Sequence, residues 1–288
     1  MAHKIILVPL DGGPSGEAVL AVAHGIAGRN NAHLEIFHAQ PDSKEAVPLL
    51  GEGMSGAMIE EMMELADRDA ESRTQVAHRH YQEFRDAHGL AEAANGPSDE
   101  ISVNWSTETG REDELVARHG RLADLIVIGR PDRDVERPSL MTLHAAIFET
   151  GKPVLVVPPN PRTTAPTNVA IAWNGSAEAS RAVAGAMPAL QKAAKVTITT
   201  VETEKSAGRI SASELVRYLS WHGVSSEQQT VSPAGHSVGR ALLLQAGKDG
   251  VDLLVMGAYT HSRVIQIILG GVTRHVLSEA ELPVLMSH

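Results

Sequence analysis

The feature that most constrains this chain is that it runs through one pattern twice. Ile5-Ile6-Leu7-Val8-Pro9-Leu10-Asp11-Gly12-Gly13 opens the first half, and Val169-Ala170-Ile171-Ala172-Trp173-Asn174-Gly175-Ser176 opens the second. Each is a short apolar run that ends in Asp or Asn, then Gly, then a small residue. An Ala-rich stretch of helical period follows each: Ala18, Val19, Val22, Ala23 and Ile26, then Ala182, Val183, Ala186 and Leu190. The later segments pair as well. His88-Gly89-Leu90 and His222-Gly223-Val224 have the form of helix C-termini closed by Gly. Ala123-Asp124-Leu125-Ile126-Val127-Ile128-Gly129 and Val251-Asp252-Leu253-Leu254-Val255-Met256-Gly257 are near copies, and so are Lys152-Pro153-Val154-Leu155-Val156-Val157 and Leu282-Pro283-Val284-Leu285-Met286.

The order this predicts in each half is β-α-β-α-β-α-β-α-β. Strands such as 125–128 are apolar throughout, which suits a sheet covered on both faces. Strands alternating with helices require right-handed crossovers. The expected fold class is therefore α/β, as two tandem doubly wound parallel-sheet domains. The domains are expected at 1–160 and 167–288, with Pro158-Pro159-Asn160-Pro161, running on to Pro166, as the linker. A linker of about ten residues is too short to hold the halves far apart. The apolar closing strands at 154–157 and 284–286 would be exposed edges unless they met. The halves are expected to form an intramolecular pseudo-dimer, and a further homodimer stays open. The first half is longer because of residues 41–56, expected as a surface loop. The helical run at 58–87 has alternating charges and is expected to be solvated.

Composition narrows the chemistry. The chain of 288 residues has no Cys, which removes disulfides, thiolate metal sites and Cys nucleophiles. Thirty-five acids against 25 bases give a net charge of −10. A dense basic surface for nucleic acid or anionic membrane is not expected. No apolar run approaches the ~20 residues of a membrane span. The N-terminus enters a strand at once, without the apolar region of a signal peptide, so the expected location is the cytoplasm. There are 14 His, but His78 and His80 are spaced i, i+2, which splays them apart on a helix. No metal site is expected. No Gly-x-Ser-x-Gly elbow or Walker Lys is present, and no catalytic residue is assigned.

Ligands of open α/β sheets sit at the carboxyl ends of the strands, near the switch in strand order. Those ends carry Asp11-Gly12-Gly13 and Gly129-Arg130-Pro131 in half one, and Asn174-Gly175-Ser176 and Gly257-Ala258-Tyr259 in half two. Each can equally be a tight turn with a helix cap. After Gly257 the chain continues Ala258-Tyr259-Thr260-His261-Ser262-Arg263, then an apolar run, then Gly270-Gly271-Val272-Thr273 opening a helix. Amide groups at a helix N-terminus, with no side chain in the way, suit a phosphate. Thr273 can add a hydroxyl, and Arg263 or His261 a charge.

Here the sequence resembles the universal stress proteins in their tandem two-domain form. The resemblance covers nearly the whole chain. Nucleotide-binding members carry Gly-x2-Gly-x9-Gly-Ser/Thr after the fourth strand. Gly257 matches the first Gly and Gly270 the third. Thr260 stands where the second Gly is expected and Gly271 where the Ser/Thr is expected. The resemblance implies that Asn174, an Asp in many relatives, contacts the adenine or ribose, and it makes Val201 a candidate wall of the base pocket. The implied ligand is ATP or another adenine nucleotide, with Mg²⁺ as its companion. The candidate binding residues are Asn174, Gly175, Ser176, Val201, Met256, Gly257, Ala258, Thr260, His261, Arg263, Gly270, Gly271, Val272 and Thr273.

Half one keeps Asp11 but lacks the phosphate loop. Gly270-Gly271 precede Pro283 by 13 and 12 residues, and the same offsets from Pro153 land on Leu140-Met141. These two bulky side chains are expected to cover the amides, so half one is expected to be structural or regulatory. The expected function is a stress-response module that binds nucleotide in half two, with little hydrolysis and with an unidentified protein partner. The alternatives are a pseudo-dimeric interaction protein without nucleotide and a nucleotide-using enzyme of related fold.

Overall fold

Strand pairing shows how the two halves meet. The computed structural model describes residues 2–42, 55–93, 96, 99–131, 139–202, 210–259 and 271–288. Half one contains β1 (Ile5–Pro9), α1 (Gly16–Asn30), β2 (His33–Gln40), α2 (Gly56–His88), β3 (Ala91–Glu92), β4 (Ser102–Thr109), α3 (Glu112–Gly120), β5 (Leu125–Gly129), α4 (Leu140–Glu149) and β6 (Val154–Val157). Half two contains β7 (Asn168–Ala172), α5 (Ala177–Leu190), β8 (Lys195–Val201), α6 (Ala212–Trp221), β9 (Glu227–Val231), α7 (Val238–Lys248), β10 (Leu253–Gly257), α8 (Gly271–Glu279) and β11 (Val284–Ser287). The element order matches the sequence pattern, with the two-residue β3 added at an edge. The expected loop at 41–56 lies mostly outside the described residues.

All the strands join one sheet in the order β3-β4-β2-β1-β5-β6-β11-β10-β7-β8-β9. Within each half the pairings are parallel. The halves join antiparallel, with Val284 opposite Val156, Leu285 opposite Leu155 and Met286 opposite Val154. The two apolar closing strands thus hide each other's edges. Alternation along each strand splits the core in two. Ile6, Val8, Leu125, Val127, Leu155, Val255 and Leu285 face α1, α2, α5 and α6. Leu7, Ile126, Ile128, Val154, Leu254, Met256 and Met286 face α3, α4, α7 and α8. Both layers run unbroken across the seam. Gly185 lets α5 approach, since a Cβ there would lie 2.7 Å from Pro153 Cβ.

Several paired sequence signals carry the same duty in both halves. Gly89 and Gly223 are left-handed at φ 60° and 73°. The amide after each bonds back into its helix, Leu90 N to Arg85 O and Val224 N to Leu219 O. Asp124 accepts from the amides of Lys4 and Ile5 at 2.8 and 3.0 Å. Asp252 accepts from Thr167 and Asn168 at 2.9 and 2.8 Å. These carboxylates pin the start of the first strand in each half, at the end of the sheet opposite the ligand crevices.

The expected solvated helix holds only for the outer face of α2. Ala70, Ala77, Tyr81 and Phe84 recur at helical spacing on an inner face and are buried. His78 and His80 turn to different neighbours, His78 to Trp105 and Tyr81 and His80 to Gly16.

Candidate functional site

The strand order reverses between β1 and β5 in half one, and between β7 and β10 in half two, so each half has one crevice at the strand C-termini. In half one the crevice is filled. Gly12, at φ 76°, lies under the middle of α2, where a Cβ would meet the Arg73 carbonyl at 2.5 Å. His38, fully buried at the end of β2, is 2.6 Å from the Leu10 carbonyl and 3.1 Å from the Thr74 hydroxyl of α2. Trp105 lies 6.2 Å from the His38 ring and packs on Tyr81 at 5.4 Å. Helix and rings occupy the ground beside the first two strands.

Among the described residues, one small cavity at this crevice is acidic. A cavity of about 10 Å³, room for roughly one water molecule, is lined by Asp11, Ser15, Glu112 and Gly129 among others. Asp11 is 9% exposed. Its Oδ1 accepts from the Gly13 amide at 2.8 Å, and its Oδ2 is buried without a hydrogen bond. Glu112 opens α3, and its Oε2 accepts from the Thr142 hydroxyl at 3.0 Å. Burial, then the charge of Asp11, pushes the Glu112 carboxyl up to about 7.

Leu140 and Met141, expected to cover the amides that open α4, are 43% and 60% exposed. Ser139 caps the same turn, its hydroxyl accepting from the Met141 amide at 3.1 Å, which satisfies an end amide directly.

Half two differs at each corresponding place. Asn174 is exposed, and its Oδ1 accepts from the Ser176 amide at 3.1 Å. Gly175 takes φ 70°. Ser176 caps α5 through the Ala179 amide at 3.2 Å. Val201 ends β8, half-buried and opposite Val231. Val238, where half one has Glu112, opens α7. Gly271 begins α8 exposed, and no described atom lies within 4 Å of where its Cβ would stand.

Other candidates are turned into the fold. Met256 is core beneath α8. Ala258 is fully buried, its amide bonded to Ser287 O. Val272 packs half-buried on the same core. Thr273 is buried, and its hydroxyl accepts from the Tyr259 amide at 3.2 Å. Gly257 is a packing glycine: a Cβ there would lie 2.5 Å from the Ala179 amide nitrogen and 2.9 Å from Glu178 Cβ. Thr260, His261, Arg263 and Gly270 lie outside the described residues.

The structure also brings in a residue that spacing did not reveal. Glu178 comes from the first turn of α5, 79 positions before Gly257, yet it abuts that glycine. Burial works against its charge, but hydrogen bonds from its own amide and from Ser176, with Arg181 and His288 nearby, outweigh burial and hold the carboxyl below its usual range. Arg181 pairs with it at 3.1 Å. Its only sequence signal is an acid in a first helical turn, which is common at helix N-termini. No group of three or more metal-ligating side chains occurs among the described residues.

Two crevices in one sheet, each at a βαβ switch point, place the chain among doubly wound α/β folds. The sequence profile of the universal stress protein family matches residues 2–158 and again 166–288. The chain belongs to that family. A universal stress protein from Archaeoglobus fulgidus DSM 4304 shares the fold with a TM-score of 0.64 at 16% identity, covering 98% of this chain and 95% of that one. A functionally unknown protein from Pseudomonas aeruginosa PAO1 aligns with a TM-score of 0.53, also at 16% identity, over 99% of this chain and 92% of its own. A shorter universal stress protein solved in complex with cAMP covers 56% of this chain at 18% identity, with all of its own length aligned and a TM-score of 0.31. No curated protein matches the chain. The tandem universal stress protein architecture is thus shared over the full length. Among the described residues no helix is long and apolar enough to cross a membrane.

Proposed function

We propose that half two binds ATP or a related adenine nucleotide, and that half one holds none and serves as a structural partner. The observation that carries this reading is the difference in charge and space between the crevices. A nucleotide brings several negative charges. The buried Glu112 would oppose them in half one, where α2 already fills the cleft. In half two the corresponding residue is Val238, which is neutral. Among the described residues nothing stands where a Cβ of Gly271 would be, and backbone amides in the first turn of a helix favour an anion. Asn174 keeps an acceptor and adds a donor for base or ribose. Mg²⁺ would travel with the phosphates.

Turnover is expected to be slow, with nucleotide acting chiefly as a ligand that selects conformation or partner. Phosphoryl transfer needs a metal ligand and a group orienting the nucleophile. The carboxylate nearest Gly257 among the described residues, Glu178, is engaged by Ser176 and Arg181. The chain is then a regulatory module of a cytoplasmic stress response.

The test is calorimetry of the whole chain with ATP and with cAMP, alongside mass spectrometry of nucleotide released from freshly purified protein. One site per chain is expected, lost in Gly271→Leu, whose side chain has room in the fold but stands over the helix end. Two equal sites, or normal binding by Gly271→Leu, would overturn the assignment. Absence of any nucleotide would favour a pure interaction protein.

A further inference from the structure

Tyr259 is the residue in half two that half one holds. Its backbone is left-handed at φ 59°, which costs an L residue on the order of 1 kcal/mol, so its side chain must be stabilised by something that glycine would lack. Its amide donates to the Thr273 hydroxyl in the first turn of α8. Its ring, 4% exposed, packs against α4 of half one. It lies 4.8 Å from the Phe148 ring and 5.7 Å, edge-on, from the His144 ring. His288 completes the cluster, 4.6 Å from Phe148, with its Nδ1 3.1 Å from the Ala258 carbonyl. The backbone from Gly257 to Tyr259 borders the second crevice. It is thus tied to α8 at its amide and to the other half at its ring.

The tie is one-sided. Half one has Pro131 at the corresponding position, and its cross-seam contact is a hydrogen bond from Arg130 to the Ala280 carbonyl at 2.6 Å. The tie is also made of packing. Tyr259 Oη and His144 Nε2 are buried without hydrogen bonds, so the ring carries the contact rather than the hydroxyl.

We propose that Tyr259 is a positioning residue through which half one sets the shape of the second crevice, so that ligand affinity in half two depends on Phe148 of half one. This rests on the reading that half two binds an adenine nucleotide. Coupling between two places is reciprocal, so filling the crevice also stiffens α4.

The experiment compares the full chain with Phe148→Ala, Tyr259→Phe and, as a control away from the seam, Phe84→Ala. ATP binding is read by calorimetry, and amide hydrogen exchange is read in 140–149 and 271–279 with and without ATP. Phe148→Ala is expected to weaken ATP about tenfold, the scale of a lost aromatic pair. Tyr259→Phe keeps the ring and the cross-seam packing, and is read by exchange in 140–149. ATP slows exchange in 140–149 of the parent and of Tyr259→Phe, but not of Phe148→Ala. Without ATP, Phe148→Ala speeds exchange in 271–279, and Phe84→Ala does not. Parent-like ATP affinity in Phe148→Ala, or exchange in 140–149 indifferent to ATP, overturns the proposal. If the parent takes up no ATP, the nucleotide reading fails and the ATP-free comparison decides alone: unchanged exchange in 271–279 sinks the tie, and faster exchange supports it. Should Phe148→Ala not fold, Phe148→Leu keeps the seam filled and is expected to shift each readout in the same direction by less.

Discussion

At the end of β1, Asp11 turns its carboxylate back onto the Gly13 amide, and at the end of β7, Asn174 makes the same turn onto Ser176 with an amide oxygen. The turns are alike, but their surroundings differ. Around Asp11 lie a second buried carboxyl, Glu112, and a long helix pressed onto the loop at Gly12. Around Asn174 the corresponding helix begins with Val238, and at Gly271, which begins α8, no described atom lies where a Cβ would stand. On the reading proposed above, a shared backbone does not imply a shared ligand, and the features that separate the halves are the buried Glu112 and the helix over Gly12.

The contrast breaks most completely if the scaffold of half two is disturbed. Gly257→Ala puts a Cβ 2.5 Å from the Ala179 amide nitrogen, with backbone that cannot step aside. A loss of about 3 kcal/mol is expected, read by denaturant unfolding, and nucleotide binding should go with it. A loss below ~1 kcal/mol would show that α5 shifts freely and that the glycine is no close-packing device.

Giving half two the charge of half one is the next sharpest test. Val238→Glu should weaken ATP at least tenfold, about 1.4 kcal/mol, while the thermal midpoint moves little. Unchanged affinity would mean that charge does not distinguish the crevices.

Glu112 supplies the reverse test. Its folded pKa of about 7 lies above the ordinary 4.5, so the folded state binds its proton more tightly than the unfolded state does. Its contribution is full below about pH 4.5 and is lost as pH rises to about 7. Glu112→Gln should flatten that fall and stabilise the chain at pH 8 by on the order of 2 kcal/mol. An identical pH profile in the variant would mean that the crevice does not perturb the carboxyl.

The smallest expected effect separates the two helix N-termini. Ser139→Ala removes the cap of α4 and should cost about 1 kcal/mol without creating nucleotide binding in half one, since α2 still fills the cleft. Appearance of a second ATP site in calorimetry would show that the cap alone had excluded it.

The repeat, the parallel strand order and the meeting of the closing strands were legible in the sequence, because apolar runs, Gly stops and paired Asp124 and Asp252 recur at matching places. Local patterns of this kind survive translation into structure. The filling of half one was not legible. Ala70, Ala77, Tyr81 and Phe84 are diluted by charged neighbours, and which loop a long helix crosses is a tertiary matter. Glu112 and Asp11 are about a hundred positions apart, and only the fold puts them in one cavity. Glu178 is illegible for the same reason. In 139–141 the stronger local signal is Ser139, since a hydroxyl just before a helix caps it directly.

The antiparallel pairing of β6 with β11 has a consequence for how such a molecule can change. Where two identical subunits meet about a twofold axis, every substitution occurs twice, and a residue that suits one copy must be tolerated in the other. Joining both copies in one polypeptide removes that constraint while leaving the contact as symmetric as before. One lobe can then take on a buried acid and a covering helix without imposing either on its twin, and a Tyr can reach across to a Phe that has no mirror image. Linking the lobes also fixes their ratio at one to one, so no mixing of unlike subunits can dilute the asymmetry.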